Sequence, residues 1–219
     1  MRGIGLTPKE FAEMSALLDQ QQTQQLGAMH AASFAEDPKH LLFMLARYHF
    51  VARMLQGKGL VLEVGCGDGT GARLVVLAVN CLIGMDTADY GDFPGSTFQK
   101  GDIRFDQPNI ATGELDAVYA LDVLEHIHPS LEESALVNMT YSLKPDGVCI
   151  IGMPSLESQP YASENSRREH VNCKTELALR RLMQRFFTNV FMFGMQDATL
   201  HTGFDRMAHY RLALCTGLR

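Results

Sequence analysis

The sequence has few cysteines, and none of them are paired at metal-binding or redox spacing. Its 219 residues contain five cysteines, at positions 66, 81, 149, 173 and 215, so no two are closer than 15 positions. Without a C-x-x-C pair there is no indication of a zinc ribbon, and an odd, widely spaced set does not suggest a disulfide framework. The pattern is typical of a protein of a reducing compartment, and we expect a cytoplasmic one.

Long apolar runs and an excess of positive charge are also missing. The longest uncharged apolar run, Leu74 to Met85, is too short for a membrane span and contains Asn80. Charged residues at positions 9, 10, 13 and 19 leave no apolar signal-peptide core near the N-terminus. The net charge of -6 argues against a dedicated nucleic-acid binder. We therefore expect a soluble protein with no membrane partner.

Short apolar runs alternate with helical patterns along most of the chain. This alternation predicts βαβ units and a largely parallel sheet covered by helices on both faces. No helical pattern separates the last two runs, so they are predicted to form an antiparallel pair. The predicted strands are Leu60–Val64, Cys81–Met85, Leu115–Leu121, Val148–Met153, Val190–Met195 and Tyr210–Cys215. The predicted helices are Gly71–Val79, Leu131–Ser142 and Thr175–Phe187, the last with an apolar stripe at Leu179, Leu182, Met183 and Phe186.

Residues 1–56 do not follow the strand pattern. The segments "PKEFAEMSALL" and "DPKHLLFMLARYHFVARML" have helical spacing, and the polar stretch "QQQTQQ" at 20–25 is either a solvated helix face or a connector. We expect a helical cap over residues 1–56, packed within a single domain on the sheet formed by residues 57–219. The leucines of "LLFMLARYHF" are expected in the core, while Tyr48 could lean on a bound ligand.

The stretch "VLEVGCGDGTGA", residues 61–72, combines a strand that ends in an acid with a glycine-rich turn. No lysine follows the glycines, which excludes a phosphate-binding P-loop. A dinucleotide fingerprint, counted from Gly65, would need a third glycine where Thr70 stands, and it does not usually carry an acid such as Glu63 at the strand end. Glycines allow a tight turn and close approach of the ligand. An acid beneath that turn suits a ligand that carries positive charge.

Four further motifs follow in order: "CLIGMD", "FQKGDI", "LDVLEHIHPS" and "LKPDGVCIIGMPS". With the glycine turn, they make the chain from about residue 45 onward resemble the class I S-adenosylmethionine-dependent methyltransferases. The resemblance implies an α/β, Rossmann-like, mostly parallel seven-stranded sheet with helices on both faces and an antiparallel last strand. It implies S-adenosylmethionine as cofactor and S-adenosylhomocysteine as product.

The resemblance also implies which residues bind the cofactor. Glu63 would support the methionyl end, Asp86 would bind the ribose hydroxyls, and Asp102 would accept from the adenine amine. The backbone N–H of Ile103 would also face the adenine. The full cofactor-binding prediction is Glu63, Gly65, Cys66, Gly67, Asp86, Asp102, Ile103, Leu121 and Asp122.

Ligands of open parallel sheets bind at the carboxyl ends of the strands, which directs attention to the loops at 122–130, 154–174 and 196–207. Methyl transfer from a sulfonium is a direct displacement, in which alignment matters most. An acceptor hydroxyl also benefits from a base near pH 7, and histidine is the natural choice. We expect His126 to be that base, with His170 and His201 as second choices.

The segment "DVLEH" raises the alternative of a metal site. Asp122, Glu125 and His126 share one face if a helical turn starts there, and His170 could add a further ligand. Magnesium or manganese would suit such a set. Because many methyltransferases carry "LEH" without metal, the site is predicted to contain none.

The sequence therefore predicts a methyltransferase that transfers a methyl group to a small-molecule acceptor, at oxygen rather than nitrogen. Arg167 and Arg168, in the loop after the fifth strand, could attract an anionic substrate. The alternatives are methylation of RNA or protein, or a non-catalytic S-adenosylmethionine-binding regulatory protein. The sequence does not indicate an oligomeric state.

Overall fold

The computed structural model describes residues 7–19 and 26–219. Two helices predicted in the N-terminal segment are present as α1 (Pro8–Asp19) and α3 (Pro38–Met54). A helix between them, α2 (Ala28–Glu36), was not predicted. Helix α3 begins with Pro38 in its first turn, and the side chain of Asp37 caps it by accepting from the N–H of His40. The polar stretch at 20–25 lies outside the described residues.

Eight strands of the described chain form one sheet in the order β3-β2-β1-β4-β5-β8-β6-β7. Strands β1 to β5 pair in parallel, and β8 is antiparallel to both β5 and β6. The predicted fold class and the antiparallel final pair are thus confirmed. The strands are β1 (Leu60–Val64), β2 (Cys81–Asp86), β3 (Ser96–Lys100), β4 (Leu115–Leu121), β5 (Leu143–Pro154), β6 (Phe187–Gln196), β7 (Thr199–His201) and β8 (Tyr210–Leu218).

The sheet differs from the seven-stranded prediction by the short strand β7. This strand pairs with the end of β6 across a tight turn in which Asp197 has a positive φ of 50°. Its three residues are too few to show a period-two pattern, which explains why the sequence did not predict this strand. Strand β3 was also not singled out from the residue pattern, because "STFQK" contains one apolar residue, Phe98, and lies at the sheet edge.

The sheet carries a separate apolar core on each face. On one face α5 (Glu132–Thr140) and α7 (Glu176–Met183) pack against the sheet, with Leu179 and Met183 fully buried as the helical stripe predicted. On the other face lie α3 and the short helix α4 (Ala72–Val76). The remaining helix, α6 (Glu164–Glu169), lies in the loop after β5. No helix among the described residues is both long and apolar enough to cross a membrane.

The cap helix α3 buries a different face from the one predicted. Met44, Tyr48 and Val51 are buried, whereas Leu42 and Leu45 are exposed. The expectation that the leucines of this segment form the core is therefore wrong for these two. The buried face of α3 also includes Arg47. A pattern based on apolar residues alone would place this charged residue on the exposed face.

Candidate cofactor and acceptor site

The glycine turn after β1 is built from residues in left-handed conformations. Gly65, Gly67 and Gly69 have φ values of 77°, 51° and 74°, which residues other than glycine rarely adopt. At Gly65 a Cβ atom would also overlap with the side chain of Val123. The turn is therefore specific to glycine for two reasons, conformation and close packing against the loop after β4.

Glu63 lies beneath this turn with its carboxylate fully enclosed. It is 1% exposed, and its Oε1 accepts from the hydroxyl of Tyr48 at 2.7 Å, while no partner contacts Oε2. Burial raises the pKa of Glu63 to about 8. The group lines neither of the cavities described below. The carboxylate of Glu63 therefore has one hydrogen bond and, among the described residues, no nearby cation to balance its charge. A cationic neighbour would stabilise its ionised form.

Asp86 lies at the end of β2 and holds the turn from the other side. Its Oδ2 accepts from the N–H of Gly67 at 3.0 Å, and its Oδ1 accepts from the N–H of Ala88 at 3.1 Å. It borders a cavity of about 270 Å³ that is also lined by four other predicted cofactor residues, Gly65, Asp102, Ile103 and Asp122. These residues come from four separate loops, and the sheet brings them to one edge.

Asp102 is already held by a neighbouring cation. The guanidinium of Arg104 donates to both carboxylate oxygens, from Nε at 2.8 Å and from Nη2 at 2.5 Å. These hydrogen bonds lower the pKa of Asp102. Arg104 itself lines the same cavity and was not predicted as a site residue. Only its position two residues after Asp102 could have pointed to it.

A second cavity, of about 720 Å³, adjoins the first along Gly65, Asp122 and His126, which border both. Cys66, Gly67 and Leu121, also predicted as cofactor residues, line it. Asp122 has a positive φ of 56° and accepts from Nη1 of Arg47 at 2.7 Å. Arg47 in turn lies over the ring of Tyr210, 3.7 Å from its centroid. This arrangement joins the cap to the loop after β4 and to β8.

The structure brings two of the three predicted histidines together. His126 and His170 both line the larger cavity, with their rings edge to face and their centroids 5.2 Å apart. His201 lies on β7, borders neither cavity, and accepts through Nδ1 from the N–H of Gly203. The larger cavity contains three further histidines that sequence reasoning missed: His30, His40 and His209.

Glu125 is the other buried acid of the site. It is fully buried between β4 and the loop after β5, borders the larger cavity, and has no hydrogen-bond partner on either carboxylate oxygen. Burial and the nearby charge of Asp122 raise the pKa of Glu125 well above its ordinary value.

Asp68 connects helix α2 and the residue before it to the glycine turn by polar contacts. This carboxylate accepts from the N–H of Gly27 at 2.5 Å and contacts Nδ1 of His30 at 2.7 Å. No pattern in the sequence indicated this contact, since His30 and Asp68 are 38 positions apart and neither belongs to a periodic pattern. Helices α2 and α3 therefore form one wall of the larger cavity.

Neither Arg167 nor Arg168, the basic pair expected to attract an anionic substrate, borders either of these two cavities. Arg167 donates to the carbonyl of Ala162, and Arg168 pairs with Glu164 on the exposed side of α6. Within the described residues that line the larger cavity, the only Lys or Arg is Arg47, whose charge is compensated by Asp122.

Comparison with known proteins identifies the family and supports the fold of this chain. A family described as a methyltransferase domain matches residues 34–189. A search of curated proteins gave no match. Solved structures share the fold at low identity. An S-adenosylmethionine-dependent methyltransferase from Archaeoglobus fulgidus is 14% identical with a TM-score of 0.67, over 86% of this chain and 98% of that one.

Two further structures have named substrates or products. The 1,6-didemethyltoxoflavin-N1-methyltransferase of Burkholderia thailandensis, solved with 1,6-didemethyltoxoflavin and S-adenosylhomocysteine, is 14% identical with a TM-score of 0.63, over 100% of this chain and 94% of that one. The small RNA methyltransferase HEN1 is 12% identical with a TM-score of 0.62, over 78% of this chain and 25% of that longer one. The family match spans well over half of the sequence, and the motifs meet at one edge of the sheet. The chain therefore belongs to the class I S-adenosylmethionine-dependent methyltransferases.

Proposed function

We propose that this enzyme transfers the methyl group of S-adenosylmethionine to a hydroxyl oxygen of an uncharged small molecule. The observation that carries the proposal is the larger cavity, which is bordered by the glycine turn and lined by five imidazoles. Its volume of about 720 Å³ is within the range of small-molecule sites. Because no uncompensated Lys or Arg of the described chain lines it, the anionic acceptor suggested by the sequence is not part of the proposal.

The proposed cofactor site uses the residues that the sequence predicted. Asp86 and Asp102, at the smaller cavity, would bind the ribose and the adenine, and Ile103 would contact the base. Gly65, Cys66 and Gly67 would contact the methionyl portion, with Glu63 beneath them. Leu121 and Asp122 would complete the wall toward the acceptor. This assignment is supported by the shared border of the two cavities, which would place the sulfonium next to the acceptor.

In the proposed reaction the acceptor oxygen forms a bond to the methyl carbon as the S–CH₃ bond breaks. The cofactor leaves as neutral S-adenosylhomocysteine, and the acceptor loses its hydroxyl proton. Because the sulfur loses its positive charge during the reaction, the exclusion of water from the pocket adds little to the activation free energy. His126 and His170 are the residues we propose to activate the hydroxyl, because His126 borders both cavities and His170 lies against it in the larger one.

The acceptor class is tested by supplying S-adenosylmethionine with a labelled methyl group. Separate reactions would contain a panel of small phenols and alcohols, total RNA, or a protein extract. We expect label in small organic products that survive nuclease and protease treatment. Label in nuclease- or protease-sensitive material would overturn the small-molecule assignment. Binding of S-adenosylhomocysteine without turnover on any acceptor would favour a non-catalytic binding protein and overturn the proposal.

The site residues are tested by single substitutions. Asp86→Ala should weaken binding of S-adenosylhomocysteine, measured by calorimetry, by about tenfold or more, because it removes a charge and two hydrogen bonds of the turn. Asp89→Ala, three residues further along the same exposed loop, is the matched control and should bind normally. Equal affinities of the two variants would remove Asp86 from the proposed cofactor site.

The histidines are tested by turnover. His126→Ala and His170→Ala should each lower kcat about 100-fold while cofactor binding is unchanged. His128→Ala, an exposed histidine of the same loop that borders neither cavity, should retain activity. A comparable loss in His201→Ala, with His126→Ala fully active, would assign the role to His201 instead.

A further inference from the structure

Three potential metal ligands converge at the wall of the larger cavity. One ligand atom each from Glu125, His126 and His170 lies within 4.8 Å of the others. Glu125 and His126 belong to the single turn of 3-10 helix that follows β4, and His170 ends α6. The backbone carbonyl of Glu125 accepts from the N–H groups of Val171 and Asn172, at 2.8 and 3.0 Å. These two hydrogen bonds fix the loop that carries His170 against the turn that carries the other two residues.

Each of the two imidazoles has a carbonyl oxygen against its Nδ1 atom. Nδ1 of His126 lies 3.2 Å from the backbone carbonyl of Glu169, and Nδ1 of His170 lies 3.0 Å from Oε1 of Gln159. A carbonyl oxygen can only accept, so in each ring Nδ1 carries the proton and Nε2 has a free lone pair. Hydrogen bonding of the far ring nitrogen to a carbonyl is the arrangement that orients histidines in metal sites.

The carboxylate of Glu125 is the second, independent indication. It is fully buried, it borders the cavity, and neither oxygen has a hydrogen-bond partner. A buried polar group without a partner is costly, and buried carboxylates are normally paired or bound to a metal. Arg47, the cation that lines the same cavity, is paired with Asp122. A divalent ion between Glu125 and the two imidazoles would supply the missing partner.

We propose that Glu125, His126 and His170 bind one divalent first-row transition-metal ion, for which Mn²⁺ is the probe. One carboxylate and two imidazoles form a mixed oxygen and nitrogen set, which favours such an ion over Mg²⁺ or Ca²⁺. Among the described residues no cysteine belongs to the cluster. Three protein ligands leave positions on the ion for water and for an oxygen of the acceptor.

This site deepens the proposed function, and the following step rests on it. A hydroxyl bound to the ion would lose its proton to solvent more readily, and the oxygen would then displace S-adenosylhomocysteine from the methyl carbon. No electrons are exchanged with the metal. The Nε2 lone pairs of His126 and His170 would be occupied by the ion, so these residues would activate the hydroxyl by holding the metal and not by accepting its proton.

The direct test measures Mn²⁺ binding to the full chain after treatment with a chelator. Calorimetry should show one ion per chain, and Mg²⁺ should bind more weakly. Glu125→Gln, nearly identical in shape, and His170→Ala should each weaken Mn²⁺ binding about tenfold or more. His128→Ala and His209→Ala are controls, since His128 is exposed outside the cluster and His209 lines another part of the same cavity.

Binding of S-adenosylhomocysteine and the circular dichroism spectrum establish that each variant is folded. Absence of stoichiometric Mn²⁺ binding by the folded protein, or unchanged binding by folded Glu125→Gln, would overturn the metal site. Chelator should abolish methyl transfer and Mn²⁺ should restore it. Methyl transfer that is indifferent to chelator would refute the site while leaving the proposed function intact. Specific Mn²⁺ binding without methylation of any acceptor would refute the proposed function alone.

Discussion

At the scale of single residues, Glu63 is a buried acid for which we propose a role in binding the methionyl end of the cofactor. The fold removes its carboxylate from water and offers it one hydroxyl, that of Tyr48, so the pKa of Glu63 rises to about 8. At pH 7 the group is therefore mostly protonated in the absence of cofactor. A nearby ammonium favours the ionised form and would lower this pKa again. Binding of an amine-bearing cofactor beside Glu63 would thereby be linked to proton release.

We expect S-adenosylhomocysteine to release a proton from Glu63 when it binds at pH 7. The binding enthalpy, measured by calorimetry in two buffers of different ionisation enthalpy, should differ accordingly, and the affinity should rise between pH 7 and 8. Glu63→Gln keeps an acceptor for Tyr48 but cannot ionise, so its binding enthalpy should not depend on the buffer. If the wild-type enthalpy is also the same in both buffers, Glu63 only supports the turn and does not meet the ammonium.

At the scale of elements, a few buried polar contacts hold the loops of the acceptor site. Arg211 of β8 is fully buried and pairs with Glu157 at 2.7 Å and with Asp205 at 2.8 Å. It also donates to the carbonyl of Lys174 at 3.1 Å. Its three partners belong to the loop after β5 and to the loop between β7 and β8. One strand residue thus fixes two of the three loops at the carboxyl edge of the sheet.

Replacement of Arg211 should therefore destabilise the protein strongly. We expect Arg211→Met to lower the free energy of unfolding by about 3 kcal/mol, because it leaves two carboxylates without their cation in a partly buried site. Arg185→Ala removes an exposed pair with Glu133 and should cost less than about 1 kcal/mol. Urea unfolding followed by circular dichroism measures both. A similar loss in the two variants would mean that the Arg211 network does not fix the loops.

At the scale of the whole molecule, helix α3 and the residue after it are part of the core, and α3 also forms part of the wall of the larger cavity. Val51 and Leu55 are fully buried against Val61 and Leu82 of the sheet. The same segment supplies Arg47 and Tyr48 to the site, where they contact Asp122 and Glu63. The packing that stabilises the cap therefore also determines the position of its functional side chains.

Truncation of a buried cap residue should destabilise the whole protein, as truncation in a core does. We expect Leu55→Ala to cost about 2–5 kcal/mol, since it removes a fully buried side chain and leaves a cavity. Leu45→Ala, on the exposed face of α3, should change stability by no more than about 0.5 kcal/mol. Thermal unfolding should show one transition shifted down for Leu55→Ala. A normal transition in that variant would mean that the cap contributes little to the fold.

The sequence was most informative where the determinants are local. The strand that ends at Glu63, the glycines of its turn, and the positions of Asp86 and Asp102 follow from short motifs, because each motif encodes one strand end and the turn after it. The stripe of α7 was predicted correctly for the same reason, since its period repeats every turn. Helix α2 and strand β7 lack such a pattern and were not predicted. In α3 the charged Arg47 interrupts the apolar stripe of the buried face.

By itself, the sequence determined the fold class, the family and the cofactor, because these depend on local patterns that recur in a fixed order along the chain. Only the tertiary structure decided which side chains surround the acceptor cavity. It placed His30, Arg47 and His209 beside His126 and His170, and it left His201 and Arg167 outside. The physical reason is that these contacts join segments up to 179 residues apart, from His30 to His209, through packing of the cap and loops on the sheet. No spacing along the chain encodes such contacts.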